Sequence, residues 1–118
     1  MIKKSIYILF LSIFLLAACQ PAPAEPVDEP SPAEIEVTMP GRVFDPVEVT
    51  IEVGTTVRWI NTDNEFHTVT AGTRDNPTGL FDAPLDPGEE FSYTFDEPGT
   101  YEYHCIPHFG MDGVVIVE

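Results

Sequence analysis

The chain has 118 residues, 43% of them hydrophobic, and sets 5 Lys and Arg against 20 Asp and Glu for a formal charge of −15. That length holds one domain. So acidic a chain lacks the clustered cations that phosphate contacts demand, which excludes nucleic acid as a partner and argues against a purely electrostatic hold on anionic lipid.

Residues 1–18 read as a leader. Lys3 and Lys4 precede an apolar run over residues 6–16, too short to span a bilayer with those flanks. The run ends in Leu16-Ala17-Ala18-Cys19, which resembles a bacterial lipobox, where the Cys is acylated and becomes the new N-terminus. The competing reading is an ordinary cleavage site with an incidental Cys. The lipobox reading predicts a lipid-anchored, extracytoplasmic protein with Cys19 as the anchor. It also leaves the only other cysteine, Cys105, without a disulfide partner.

Residues 19–33 are rich in Pro, Ala and acid and carry no apolar periodicity. Such a linker favours extended polyproline II, which at roughly 3.1 Å per residue reaches about 40 Å. From residue 34 the pattern changes to short alternating runs. Ile35, Val37 and Met39 alternate with Glu36 and Thr38, and Val47, Val49, Ile51 and Val53 with Glu48, Thr50 and Glu52. Val57 and Trp59 follow, then Phe91, Tyr93 and Phe95, then Tyr101, Tyr103 and Cys105, and an apolar run over 114–117 closes the chain. Pro40-Gly41, Gly54, Asp86-Pro87-Gly88 and Pro98-Gly99 punctuate the runs as turns. No window has a helical period. Residues 34–118 are therefore expected to form one all-β domain, a small antiparallel-rich sandwich or barrel of six to eight short strands. Residues 71–84 are the least regular. Gly72, Asn76-Pro77 and Gly79 predict a surface loop there, with a short strand near Leu80-Phe81.

The chemistry concentrates near the C-terminus. Cys105, His108 and Met111 recur at three-residue intervals, a thiol, an imidazole and a thioether. These soft or borderline donors suit copper better than zinc, calcium or magnesium, and two His, one Cys and a weak axial Met make the donor set of a copper electron-transfer site. A second imidazole is needed, and the chain has three histidines. His104 neighbours Cys105, and on an extended segment adjacent side chains face opposite ways. His67 remains, with His104 a non-ligand. Taken singly, each residue has a plainer explanation, a buried thiol or a core Met. Together, Cys105, His108 and Met111 crowd one turn between two strands. Asp63-Asn64-Glu65 reads as a solvated turn, since it lacks the spacing of a calcium loop, and Trp59 reads as core.

The stretch Tyr103-His104-Cys105-Ile106-Pro107-His108 through Met111 resembles the copper loop of the small blue copper proteins, the plastocyanin/amicyanin-like cupredoxins, and is most similar to the amicyanin type, whose Cys-x2-His-x2-Met loop is shorter than the plastocyanin one. Val57-Arg58-Trp59-Ile60-Asn61 followed by His67-Thr68-Val69 is similar to the family's segment bearing the first His ligand, and Pro98-Gly99-Thr100-Tyr101 to the turn before its Cys strand. The resemblance spans about residues 35–118. It implies a Greek-key sandwich or barrel of about seven to eight strands, and one type 1 copper held by His67, Cys105, His108 and Met111. It implies single-electron transfer between redox proteins by a monomer, and no enzyme. Many members carry Asn directly after the first His; here Thr68 stands there, with one donor rather than two.

A copper enzyme would need a second metal centre, and His104 alone cannot build one. A carrier or storage protein is the standing alternative, though CxxC and Met-rich tracts are absent. His108 lies between Ile106 and Phe109, which predicts its ring edge as the electron port, rimmed by Ile106, Pro107, Phe109 and Met39.

Overall fold

The computed structural model describes residues 18–24 and 31–118. The signal peptide expected over residues 1–18 lies outside these residues except for Ala18. Of the expected linker, residues 19–24 and 31–33 are exposed and carry no regular structure.

Apolar alternation becomes nine strands among the described residues: β1 (Glu34–Gly41), β2 (Val43–Asp45), β3 (Glu48–Ile51), β4 (Thr55–Asn61), β5 (His67–Thr73), β6 (Asn76–Leu85), β7 (Glu90–Phe95), β8 (Gly99–His104) and β9 (Asp112–Val117). They form two sheets, ordered β2-β1-β4-β7 and β3-β9-β8-β5-β6. The β1–β4 and β3–β9 pairs are parallel and the other pairs antiparallel. This is the all-β sandwich expected from the sequence. Where the count exceeds seven to eight, the additions are small: β2 has three residues and β3 four.

The expectation for residues 71–84 is corrected. Residues 71–84 are not a loop. β5 runs on to Thr73, and β6 returns from Asn76 as a ten-residue strand paired along it. The sequence hid this for physical reasons. β6 is an edge strand, where Pro77 and Pro84 are tolerated because their missing N–H groups need no partner. Its first five residues are all exposed, so no alternation appears there. Val47 and Val53 also depart from the expected pattern. They lie outside β3 and are exposed, while Val49 and Ile51 point inward.

Trp59 on β4 sits at the centre of the core. Tyr103, Phe81, Phe91 and Phe95 surround it, with ring centroids at 5.3, 5.6, 5.8 and 6.4 Å. Tyr103 lies opposite Gly113 in the β8–β9 ladder. Its ring covers that glycine, where a Cβ would collide with it. Met39 is fully buried in this core, which removes it from the expected surface patch. The ends of β4 and β8 and the starts of β5 and β9 come together at one end of the sandwich. Residues 62–66 and 105–111 are among the connections that emerge there.

Candidate metal centre

His67 opens β5, and Cys105 follows the last residue of β8. The loop from Cys105 to Met111 is closed by hydrogen bonds from Cys105 N to the Met111 carbonyl (2.9 Å) and from Met111 N to the His108 carbonyl (3.2 Å). This tight turn brings His108 back over the thiol. His67 Nδ1 and His108 Nδ1 lie 3.0 Å apart, and Cys105 Sγ lies 3.7 Å from the first and 3.4 Å from the second. The three donor atoms fall within 4.8 Å of one another, the one such cluster among the described residues. His67 and Cys105 have no exposed surface, and Met111 almost none.

The donor chemistry fits copper. One sulfur and two imidazole nitrogens converge without a carboxylate among them, and a thioether side chain is buried at the end of the same loop. Hard cations prefer oxygen, and zinc sites rarely use a thioether.

Residues 33–118 match the family described as copper binding proteins, plastocyanin/azurin family. The chain belongs to that family. It is 38% identical over 85 residues to a plastocyanin of Scenedesmus fuscus, covering 64% of this chain and 87% of that protein. It is 34% identical over 103 residues to amicyanin-alpha of Methylorubrum extorquens, covering 86% of this chain and 87% of that one. Among solved structures it resembles a purple cupredoxin from Nitrosopumilus maritimus, with a TM-score of 0.66 and 31% identity over 70% of this chain and 98% of that one.

Around the donors of this cupredoxin, short polar contacts fix each ring and loop. His67 turns Nε2 to the Asp63 carboxylate at 2.9 Å, leaving Nδ1 to face the cluster. A carboxylate on the far nitrogen sets tautomer and orientation for a metal-binding imidazole. The hydrogen bond from His67, with a second from the Asn64 amide, holds the Asp63 carboxyl below its ordinary range. Asp63 is therefore not part of a merely solvated turn. Its placement depends on Asn61, whose Oδ1 accepts from the Asp63 amide at 3.0 Å. Asn61 Nδ2 donates to the carbonyls of Glu65 (2.8 Å) and Leu85 (3.0 Å). An Asn two residues before an Asp is a turn signal, and it stood in the sequence unread. Glu65 is gripped by both ends of the Arg42 fork at 2.8 and 2.9 Å, which lowers its carboxyl pKa. It also lies 4.0 Å from His108 Nε2. The His108 imidazole is itself pushed down, by burial first and then by His67.

Thr68 does join the two loops. Its hydroxyl accepts from the Ile106 amide at 2.9 Å, and its own amide donates to Cys105 Sγ at 3.4 Å. Thr70 donates its proton to Asp82 at 2.9 Å, so the Thr68 hydroxyl donates to Thr70, also at 2.9 Å. The single hydroxyl is thus used in both directions. His104 faces away from the cluster, as expected, and is hydrogen-bonded through Nδ1 to the Gly72 carbonyl at 2.8 Å.

Proposed function

We propose that this chain is a membrane-anchored cupredoxin that carries single electrons between extracytoplasmic redox proteins. The metal would be held by His67 Nδ1, Cys105 Sγ and His108 Nδ1, with Met111 as a weak fourth donor. The observation that carries this reading is the convergence of those three donor atoms within 4.8 Å in a copper-binding family. Bound copper supplies a one-electron Cu(II)/Cu(I) couple.

The chain's own residues prepare that site. Cys105 is buried, and the Thr68 amide points at its sulfur. A metal binds such a cysteine as the thiolate. Asp63 and Thr68 hold one side of the site, and the turn at residues 105–111 holds the other. A site whose donors are fixed before the electron arrives needs little rearrangement. His108 alone reaches the surface, its side chain 11% exposed. It stands between Ile106 and Phe109, which are 50% and 94% exposed. The exposed ring edge is the electron port. No general base or bound substrate is needed, and all donors come from one chain, so a monomer suffices.

Cu(II) titration of the purified protein tests the reading. An intense visible thiolate-to-copper band should appear, fade on one-electron reduction and return on oxidation. Cys105→Ser should lack the band while keeping its β fold. Colourless, tight Cu(I) binding without a stable Cu(II) form would replace the shuttle with a carrier or storage protein. The anchor rests on Leu16-Ala17-Ala18-Cys19 and on exposed Cys19. Among the described residues no helix is long and apolar enough to cross a membrane. Cys19→Ser should move the protein to the soluble fraction, and membrane retention of that variant would remove the lipid anchor.

A further inference from the structure

Arg74 lies in the turn between β5 and β6, outside the donor set, yet its guanidinium is committed to the donor loop. Nη2 donates to the carbonyls of Cys105 at 2.8 Å and His108 at 3.0 Å, and Nη1 donates to that of Ile106 at 2.9 Å. The guanidinium carbon stands 5.4 Å from the centroid of the Phe109 ring. Residues 105–111 have no strand partner, and the other hydrogen bonds of their backbone are Cys105 to Met111, Met111 to His108, and Ile106 to Thr68. A planar guanidinium is suited to bridging several oxygens at once, and charge-assisted hydrogen bonds are about twice as strong as neutral ones.

The charge itself is unusual in its company. Arg42 is paired with Glu65, and Arg58 with Glu34, Glu36 and Glu90. Arg74 makes no ion pair among the described residues, although Asp75 follows it and the chain carries 20 acidic residues. Its positive charge is applied to carbonyl oxygens of the loop that bears Cys105 and His108, with no carboxylate within ion-pair distance among the described residues.

We infer that Arg74 is a positioning residue for the metal loop, which fixes residues 105–108 against the β5–β6 turn and biases the bound metal toward its less positive, reduced state. The inference rests on the copper reading above. The two effects separate by substitution. Alanine removes both fork and charge. Lysine keeps a charge but cannot offer the planar fork to three carbonyls.

Both variants are made in the full chain. Hydrogen exchange is measured on the copper-free protein at the hydrogen-bonded loop amides of Cys105, Ile106 and Met111, and voltammetry on the copper-loaded one. In Arg74→Ala, exchange at those amides should quicken about tenfold. Cu(I) binding should also weaken about tenfold relative to Cu(II), which lowers the potential by about 59 mV for a one-electron couple. Arg74→Lys should exchange almost as fast as the alanine variant but recover most of the potential. Unchanged exchange in Arg74→Ala overturns the inference. So does an unchanged potential, or a lysine variant displaced in potential as far as alanine. A wild-type protein without a thiolate–copper band would remove the copper reading instead, and the exchange of the copper-free chain would still report on the clamp.

Discussion

Tyr103 shows how closely the core is drawn around the metal loop. It lies two residues before Cys105, buried against Trp59 and Phe44. Neither its hydroxyl nor the Trp59 indole nitrogen makes a well-formed hydrogen bond. Burial pushes the phenol up to about 12, against a smaller opposing pull from Trp59. An unfolded tyrosine titrates near 10, so the folded chain holds this proton more tightly. That contribution is complete below pH 10 and is lost as pH rises from 10 toward 12. Two pKa units correspond to about 2–3 kcal/mol at most. Tyr103→Phe cannot lose it. Urea unfolding of the copper-free proteins at pH 8 and pH 11 should therefore show a steeper alkaline loss in wild type than in Tyr103→Phe, and parallel losses would refute the burial argument. At this scale the donors were legible because Cys, His and Met are scarce and their chemistry is specific. Asp63 and Arg74 were not, because carboxylates and guanidinia are common surface groups. Their roles depend on turn geometry that residue type alone does not reveal.

The β5–β6 hairpin is the element that sequence reading missed, and it carries much of the site. His67, Thr68 and Thr70 lie on β5, and Asp82, which ends the hydroxyl relay, on β6. Strands with one buried face, such as β4 with its strict in-out pattern, announced themselves. β5 has six successive buried residues and does not alternate, and β6 opens with five successive exposed ones and alternates only over its last five. A register shift between Thr70 and Gly72 bends the hairpin. Gly72 has φ 92°, and a Cβ there would collide with the Asn76 carbonyl oxygen and the Thr78 amide nitrogen. The glycine is required both for its backbone conformation and for the close approach of β6. Gly72→Ala should cost about 2 kcal/mol or more and loosen the turn that aims Arg74. Gly79 also has positive φ, 76°, but open space around it. Gly79→Ala should cost about 1 kcal/mol. Equal losses in urea unfolding would mean that backbone conformation alone, and not the packing of β6, demands glycine at 72.

Across the whole molecule, charge and apolar surface are arranged differently. The chain carries a formal charge of −15, while the metal end exposes Phe109, Ile106 and, beside His67, Phe66. Phe66 takes the place in this patch that Met39 was expected to fill. Weak redox encounters bury little surface, so a small apolar contact around His108 is enough for close approach and fast release. On the proposed shuttle reading, the acidic body would steer a cationic partner, raising the encounter rate more than the affinity. With a Debye length of about 8 Å at physiological salt, that steering fades as salt is added. Stopped-flow rates with a cationic redox protein should therefore fall as ionic strength rises, and rates with a small anionic oxidant should climb. Phe109→Asp introduces a charge into the apolar contact and ends the cation–π contact with Arg74. It should slow exchange with the protein partner at every salt concentration, even though it adds to the acidity that steers that partner. The two effects oppose each other, so the sign of the change identifies which one governs. A faster rate in Phe109→Asp at low salt would make long-range steering limiting. An unchanged rate, together with a loss on reversing charge at a distant face, would put the electron port elsewhere on the sandwich and leave His108 a ligand only.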